Sequence, residues 1–454
     1  MPLIYTDRSR QVDSFRCQML RYLKYHSVNG YGIDGKARHI PLMTGLDIHE
    51  CLAGVLEIVL TLGGALLPNL SDDLTRGQIR TVIQAAQKKY RDQVEKLGLT
   101  GVEEREVTRV VNEQCCLVEG LTWGWCRVML PLVVKEYTIL KVEAEESFVL
   151  GCTCGIGDRK GEPADHEAKD CYGVCQQSRP DFVMRKKKVG SAQDGQVGIH
   201  DFKSTAYQPN ADTIEEYRTS MQMAVGTLGV ERSLGEPVTH YEVHFLVKGG
   251  RRKGYTSPNV FEGPRQQQSD FCYVSYSAGN PPLYKESLSC KGKWYEKVPV
   301  WELNLARPEG WSAVEYWASI MPQEEIEKLF PRIGPYDRQG WMIPGHLTQV
   351  LAEEKRWVSR NWAVYDETSQ TGAPLKPALD KQITQSWDCW KYGTTCTMRP
   401  ICDGTVPWDP KAIMASGLYQ LRVPHHKLEE EALRASGVEL PAEMLPTGGG
   451  GEGE

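Results

Sequence analysis

Two aspartates, a histidine and a lysine have types and spacings that could hold a divalent cation and activate a water molecule. Asp201 and Lys203 are two residues apart within an alternating apolar run, so in a β-strand both side chains project from the same face. A carboxylate there can bind a cation, and the lysine can contact the same water or a phosphate oxygen. Asp181 begins another apolar run and could bring a second carboxylate. His49 could complete the ligand set from a preceding helix.

The hydrophobic pattern predicts the elements that would position these side chains. Apolar residues recur at helical spacing over 45–60 and again over 211–230. Strand-like runs occur at four places, at 138–142, 180–184, 197–203 and 239–247. Asp194-Gly195 suits the tight turn of a hairpin between the second and third runs. The order helix, three strands, helix, strand predicts an α/β or α+β domain in which a helix crosses between the last two strands.

Each of the four residues also has an ordinary structural explanation. The Asp-x-Lys pair could be an exposed ion pair on one strand, the histidine could be satisfied by a helix neighbour, and Asp181 could be a turn residue after Pro180. The Asp-x-Lys spacing also occurs at 34–36 and 158–160, where flanking glycines argue against a strand. A shared site is favoured because all four residues occur, in the expected order, on one predicted helix and two predicted strands.

Three segments together resemble the motifs of RecB-type PD-(D/E)XK nucleases, a superfamily that includes bacteriophage and CRISPR-associated exonucleases. They are Gly45-Leu-Asp-Ile-His49-Glu50, Arg179-Pro-Asp181 and Asp201-Phe-Lys203-Ser, which are similar to the GxxxHE, (G/R)xPD and DxKT/S motifs. The acidic run Glu143–Phe148 is similar to the strand that precedes the first aspartate of that family. Gln222 stands where the family carries a QxxxY motif thought to contact DNA, but residue 226 is glycine instead of tyrosine.

The resemblance implies a restriction-endonuclease-like fold, with a mixed central sheet, flanking helices and added helical regions. It implies a metal-dependent deoxyribonuclease that hydrolyses phosphodiester bonds, acting as an exonuclease in DNA recombination or repair of the bacteriophage type. His49, Asp181, Asp201 and the Phe202 carbonyl would hold Mg²⁺ or Mn²⁺, and Lys203 would act on the attacking water. Two alternatives stay open, a structure-specific endonuclease of the same fold and a non-catalytic DNA-binding scaffold. Besides DNA, a single-strand annealing or recombination protein is a candidate partner.

The cysteines near the two ends of the chain form a candidate iron–sulfur site. Iron–sulfur nucleases of the RecB type take one cysteine from before the nuclease core and three from after it. By that resemblance the ligands here are Cys17, Cys389, Cys396 and Cys402. Buried free thiols are the alternative.

A second set of cysteines lies just before Asp181, in a polar segment that contains glycines. Paired cysteines with a spacer of this length are typical of a structural zinc site. The candidate ligands are Cys152, Cys154, Cys171 and Cys175, with His166 in reserve. Unliganded thiols explain this set equally well.

The net charge of −6 argues against a protein that coats nucleic acid by bulk charge, but it leaves room for local basic clusters. Two such clusters are predicted to contact DNA phosphates, one formed by Arg185, Lys186, Lys187 and Lys188, the other by Lys248, Arg251, Arg252 and Lys253.

The length of 454 residues predicts several structural units. These are 1–60 with the first core helix, the helical insertion 61–137, the core sheet 138–260 with a Cys-rich insertion at 151–178, the C-terminal helical region 261–405, and the extension 406–454 with a disordered glycine-rich tail. No apolar run is long enough for a membrane-spanning helix, and the first residues lack the pattern of a secretory signal. We therefore expect a cytoplasmic protein, in the host cytoplasm if it is viral.

Overall fold

A computed structural model of the protein describes most of the chain. The described residues are 3–27, 31–35, 40–96, 104–153, 172–187, 190, 194–218, 221–249, 271–274, 298–302, 306–337, 340, 342–371, 374–383, 390–391, 394–422, 424 and 426–435. Within them helices and strands mix along the chain, which confirms the predicted α+β class.

The helices are α1 (Arg8–Arg16), α2 (Gln18–Tyr25), α3 (Ile40–Thr61), α4 (Asp73–Lys96), α5 (Glu104–Val128), α6 (Leu130–Glu136), α7 (Ala211–Arg218), α8 (Met221–Leu234), α9 (Ala313–Ile320), α10 (Gln323–Glu327), α11 (Met342–Thr371), α12 (Leu375–Gln382), α13 (Arg399–Cys402), α14 (Pro410–Ala415) and α15 (Lys427–Ala435).

The strands are β1 (Leu3–Thr6), β2 (Ile33–Gly35), β3 (Tyr137–Val142), β4 (Glu146–Cys152), β5 (Gly173–Ser178), β6 (Phe182–Lys186), β7 (Val197–Thr205), β8 (Val238–Val247), β9 (Tyr273–Val274), β10 (Val298–Pro299), β11 (Arg332–Asp337), β12 (Trp390–Lys391), β13 (Thr394–Thr395) and β14 (Tyr419–Leu421).

The largest sheet among the described residues has five strands in the order β11-β8-β7-β6-β3. β6 pairs antiparallel with β3 and with β7, whereas β7 and β8 run parallel and are joined through α7 and α8. A parallel pair needs such a crossover connection, because the chain must return to the starting end of the sheet. The predicted order of helix, three strands, helix and strand is therefore found in α3, β3, β6, β7, α8 and β8.

The predicted hairpin is the pair β6 and β7, in which Phe182 lies opposite His200 and Arg185 lies opposite Val197. Its turn contains Asp194-Gly195, and Gly195 has a φ of 76°, a value that L side chains rarely adopt. The Gly195 amide donates to the Lys186 carbonyl at 2.9 Å, which closes the turn.

A second sheet joins the beginning of the chain to the segment before Asp181. Its order is β1-β5-β4, with β4 antiparallel and β1 parallel to β5. The sequence pattern predicted neither strand β5 nor its pairing with the N-terminal residues. Since β5 ends only three residues before Asp181, this sheet holds the N-terminal segment beside the central sheet.

Three buried clusters give the protein its main cores. One packs α3, α4, α5 and α9 on one face of the central sheet and includes Phe182 and Phe202. Another covers the opposite face and joins Ile199 and Val243 to Val230 of α8. The third joins residues of α2 to residues of α11 and of the segment 398–421, so both ends of the chain share a core.

Within the described residues no single helix combines the length and apolar composition needed to cross a membrane. Residues Val107–Val128 and Leu130–Glu136 reach that composition only as a pair, and the two segments are bent by 42° at their junction.

Candidate active site

The four residues singled out by type and spacing come together in the structure. His49 Nδ1, from α3, lies 3.6 Å from Asp181 Oδ2 at the start of β6. The same Asp181 oxygen accepts the Phe202 amide of β7 at 2.5 Å. Lys203 Nζ forms an ion pair with Asp201 Oδ2 on the same strand. One helix and two adjacent strands therefore bring two carboxylates, an imidazole and an ammonium group to one place.

The alternation of β7 explains how these side chains are presented. Phe202 points into the core below the sheet, where its ring stacks on Phe182 at 4.7 Å and meets the edge of Trp125 at 5.6 Å. Asp201 and Lys203 must then project from the other face, because successive strand residues alternate. The His49 ring packs 6.0 Å from Phe202 and reaches past the strand to Asp181.

Gly45 sets the distance between α3 and β7. A Cβ atom at this position would lie 2.7 Å from Ser204 Oγ, closer than real Cβ contacts allow. The absence of a side chain lets the helix approach the strand, and His49 lies one turn further along the same helix. The GxxxH spacing therefore has a packing explanation here.

The electrostatics of the site are dominated by crowded carboxylates. Burial and the nearby charge of Asp181 together raise the pKa of Asp201 to about 6, against the opposing effect of Lys203. Burial alone would also raise the pKa of Asp181, but His49 and Lys203 lower it. The pKa of His49 is raised in turn, because the attraction of Asp181 outweighs burial. An additional cation between Asp181 and Asp201 would therefore be stabilised by these carboxylates.

Glu143 belongs to the site although the sequence assigned it no catalytic part. It lies between β3 and β4 with a φ of 45°, and its amide donates to the Asp181 carbonyl at 2.8 Å. Arg179 pairs with its carboxylate at 2.9 Å. Burial and the charge of Asp181 raise the pKa of Glu143 to about 7. The acidic run 143–148 was the sequence signal, but only the fold selects this member of it.

A cavity of about 290 Å³ opens beside Asp201. Ile199 of β7 and residues Val225 and Gly226 of α8 form one part of its wall. The rest comes from the N-terminal segment, the end of the second sheet and the C-terminal region, namely Asp7, Arg8, Ser9, Gln177, Ser178, Arg179, Pro180 and His426. Sequence reasoning missed the N-terminal part of this wall, because nothing local in residues 7–9 indicates which element they will contact.

The described residues of the first predicted basic cluster do not contact the four candidate site residues. Arg185 lies opposite Val197 in the register, at the turn end of the hairpin, and its guanidinium binds Glu236 through two contacts of 2.8 Å. Lys187 Nζ donates to the Ala65 and Val134 carbonyls at 3.1 and 2.5 Å. Lys186 lies 5.7 Å from the Tyr137 ring centre. Lys188 lies outside the described residues.

Of the second basic cluster only Lys248 is described, and it is buried, donating to Ser204 Oγ at 3.3 Å. Arg251, Arg252 and Lys253 lie outside the described residues. Gln222 is part of α8, whose later residues line the cavity, but its side chain is also outside the described part of the chain. DNA contacts by these groups stay predictions.

Three of the four predicted iron–sulfur ligands share one region. Cys17, Cys396 and Cys402 all pack against the buried cluster formed by both ends of the chain, and Cys389 lies outside the described residues. Among the described residues their three sulfurs do not form a ligand group within 4.8 Å of one another. The iron–sulfur site stays a prediction.

The predicted zinc ligands Cys152 and Cys175 are buried on the paired strands β4 and β5. They are not opposite each other in the register, because Cys152 pairs with Gly173 and Cys175 pairs with Val149. Cys154, Cys171 and His166 lie outside the described residues. This zinc site also stays a prediction.

A different group of ligand atoms lies on the other face of the central sheet. His200 of β7 and Glu242 and His244 of β8 are fully buried, and their ligand atoms are close enough together to hold a metal ion. The signal in the sequence was alternation, because residues 240, 242 and 244 share one side of a strand. The sequence does not show that residue 200 of the neighbouring strand joins them.

Comparison of the sequence with protein-family models gave no match, and comparison with curated proteins gave no similar protein.

Proposed function

We propose that this protein is a metal-dependent nuclease of the PD-(D/E)XK type that hydrolyses phosphodiester bonds in DNA. The observation that carries the proposal is the convergence of His49, Asp181, Asp201 and Lys203 from a helix and two adjacent strands. The ordinary explanation of each residue does not account for the meeting of all four. A surface ion pair would not be expected beside a second buried carboxylate and an imidazole.

The donor set fits a divalent cation. Asp181, Asp201, His49 and the Phe202 carbonyl would hold it, and the imidazole suits Mn²⁺ better than an all-oxygen site would, with Mg²⁺ as the alternative. The raised pKa of Asp201 supports this assignment, since the carboxylate is short of positive charge in the protein alone. When bound, the cation lowers the pKa of a coordinated water and neutralises charge on the phosphate.

Lys203 supplies a positive charge and hydrogen-bond donors beside the reacting phosphate. Although burial opposes it, the carboxylates of Asp201 and Asp181 raise the pKa of Lys203, so the ammonium stays charged at neutral pH. A charged lysine next to the scissile phosphate donates hydrogen bonds to phosphate oxygens and orients the attacking water. The ion pair with Asp201 holds the ammonium group in place before substrate binds.

The cavity favours cleavage from an end of the DNA over cleavage within a continuous strand. Its wall includes the N-terminal residues 7–9 and the segment 177–180 that leads into β6, so a strand that enters beside Asp201 meets protein on more than one side. An exonuclease in recombination or repair of the bacteriophage type, working with a single-strand annealing or recombination protein in the cytoplasm, is the role that the resemblance supports. A structure-specific endonuclease and a non-catalytic scaffold are the outcomes against which it is tested.

The deciding experiment offers the purified protein linear DNA labelled at the 5′ or 3′ end, single- and double-stranded, beside covalently closed circular DNA. With Mg²⁺ or Mn²⁺ we expect linear DNA to be degraded to short products while the closed circle survives. Asp201→Asn should remove this activity. Cutting of the closed circle would indicate an endonuclease, and DNA binding without cleavage under either cation would indicate a scaffold.

A further inference from the structure

The group formed by His200, Glu242 and His244 lies behind the catalytic strand and takes no part in the proposed nuclease chemistry. Its three side chains are at most 1% exposed. His200 Nδ1 and His244 Nε2 are 3.2 Å apart, and Glu242 Oε1 lies 3.3 Å from His244 Nε2 and 3.7 Å from His200 Nδ1. Three potential ligand atoms therefore surround one point between β7 and β8.

The hydrogen bonds within the protein leave this group incompletely satisfied. Glu242 Oε1 is buried and accepts no hydrogen bond. The other carboxylate oxygen, Oε2, accepts the Tyr137 hydroxyl at 2.9 Å. His200 Nδ1 and His244 Nε2 can share a hydrogen bond, and Arg332 Nε lies 3.2 Å from Glu242 Oε1 without forming one. A buried polar atom without a hydrogen bond costs about 1–3 kcal/mol, so Glu242 Oε1 is the atom of this group that has room for a further partner.

We propose that His200, Glu242 and His244 bind a zinc-class transition-metal ion that fastens β7 to β8. Ligands about 2.0–2.1 Å from a tetrahedral zinc are about 3.3 Å apart, which matches two of the three observed separations and approaches the third. Two imidazoles and one carboxylate suit zinc and similar ions, whereas Mg²⁺ and Ca²⁺ prefer oxygen ligands. The Tyr137 hydroxyl orients the carboxylate, as outer-shell hydrogen bonds do at such sites.

The surrounding charges are compatible with a divalent ion. Arg332 Nε lies 3.2 Å from Glu242 Oε1, and the same guanidinium also binds Glu136 at 2.9 Å. Its positive charge is thus shared with a second carboxylate. Two carboxylates and one guanidinium carry a net charge of −1 before the metal is added.

The role of this metal is structural. Three protein ligands leave one position of a tetrahedral ion for a water, as in catalytic sites, but all three side chains here are closed off from solvent, so a substrate has no access to that position. His200 directly precedes Asp201, so the ion would fix the strand that carries Asp201 and Lys203. The proposal does not rest on the proposed nuclease function.

The test is zinc binding by the full-length protein after removal of bound metals. Elemental analysis should show that His244→Gln binds one zinc fewer per chain than the wild type. His240→Gln is the matched control, because His240 is buried on the same face of β8 but lies outside the ligand group. Zinc should raise the melting temperature of the wild type and of His240→Gln by the same amount, and that of His244→Gln by less.

Cobalt substitution of the wild type provides a measurement that does not depend on the folding of any variant. Co²⁺ held by imidazole and carboxylate gives visible ligand-field bands without the intense near-ultraviolet charge-transfer band of thiolate ligation, which separates this site from the cysteines. A thiol-free cobalt spectrum with the intense bands of four-coordinate Co²⁺ supports the proposal, because a Mg²⁺-type site such as the candidate active site holds Co²⁺ in six-coordinate form with weak bands. Its absence from the wild type, or equal zinc content in the wild type and His244→Gln, would overturn it and leave a hydrogen-bonded His-Glu-His network only.

Discussion

Asp201 is the residue of the candidate active site whose ionisation depends most clearly on its surroundings. It is 5% exposed, and it shares a small volume with Asp181 and Glu143. Lys203, His49 and Arg179 are positive groups that oppose this crowding. At this scale the sequence was informative, because Asp-x-Lys on a strand fixes the relative position of two side chains. It was uninformative about Glu143, whose place depends on a backbone hydrogen bond to Asp181.

We expect Mn²⁺ affinity to fall as the pH is lowered through the pKa of Asp201, which is about 6. A protonated carboxyl and an imidazolium are both poor ligands, and the pKa of His49 is raised by Asp181, so the affinity should fall roughly tenfold per pH unit below the pKa of His49 and more steeply below that of Asp201. Isothermal titration between pH 5 and pH 8 measures it. Glu143→Gln is the control and should keep the change in Mn²⁺ affinity near pH 6. A pH-independent affinity in the wild type would show that Asp201 is not a ligand.

Lys203→Ala should reduce the rate of DNA cleavage on the order of 10²- to 10⁴-fold, the range for a positioned acid–base or charge-stabilising group. Folding and DNA binding should stay close to wild type, because the ammonium acts at the reacting phosphate. Single-turnover cleavage and a binding assay separate the two effects. Lys89→Ala is the control, since Lys89 is exposed on α4, where it pairs with exposed Glu50. Wild-type cleavage by Lys203→Ala would remove the lysine from the mechanism.

At the scale of elements, the packing of α3 on β7 determines whether His49 reaches Asp181. Local patterns predicted both elements, and they also predicted the β6–β7 hairpin through its turn residues. They did not predict the parallel pairing of β1 with β5. A strand of four residues carries little periodicity, and its partner is about 170 residues away, so no local signal specifies the pair.

Gly45→Leu should separate α3 from β7 and displace His49, because even a Cβ atom at this position would lie 2.7 Å from Ser204 Oγ. A displacement of about 1 Å can cost on the order of 10²-fold in rate. The measurement is cleavage rate at saturating Mn²⁺, with circular dichroism to confirm folding.

Gly77→Ala is the control for that change. It lies within α4 with open space around its Cα, so the substitution should leave cleavage unchanged and raise the free energy of unfolding by roughly 0.5–1 kcal/mol. Full activity in Gly45→Leu would show that the close approach of helix and strand is not needed for catalysis.

At the scale of the whole molecule, residues from both ends of the chain form a shared core beside the central sheet. Arg21 of α2 and Glu354 of α11 form an ion pair of 2.6 Å in which neither side chain is exposed. The Arg21 guanidinium also lies 4.5 Å from the centre of the Trp357 ring, and Thr6 donates to the same glutamate at 2.7 Å. From the sequence, the two ends of the chain were predicted to meet only at the cysteine site. The buried ion pair was not predicted, because an ion pair between distant helices leaves no local pattern.

Glu354→Gln should lower the free energy of unfolding by about 3–5 kcal/mol, since it leaves the buried Arg21 charge without its partner. Denaturant unfolding followed by circular dichroism measures this loss. The double variant Arg21→Met, Glu354→Leu should recover much of it. Lys381→Gln, which removes an exposed ion pair with Glu367, should change stability by no more than about 0.5 kcal/mol. A Glu354→Gln variant as stable as Lys381→Gln would show that the buried pair contributes little.

The predicted iron–sulfur site is tested in the same core. Anaerobically purified protein should be brown, and Cys396→Ser should bleach it and lower its melting temperature before it affects cleavage. Cys115→Ser is the control, because that buried thiol lies in a different cluster. Colourless wild-type protein with no iron by elemental analysis would leave Cys17, Cys396 and Cys402 as core thiols.

The contacts of the first residues also govern the order in which a newly made chain can fold. Thr6 and its partner Glu354 are 348 residues apart. At roughly 5–20 residues per second, the ribosome needs about 20–70 s to make the intervening chain. The N-terminal segment can pair with β5 once that strand is made, but its contact with α11 forms only after most of the chain has been synthesised. The cavity beside Asp201 is lined by residues 7–9 and also by His426. A chain interrupted before α11 would therefore carry all four candidate catalytic residues without a finished cavity, which confines the complete site to nearly full-length protein.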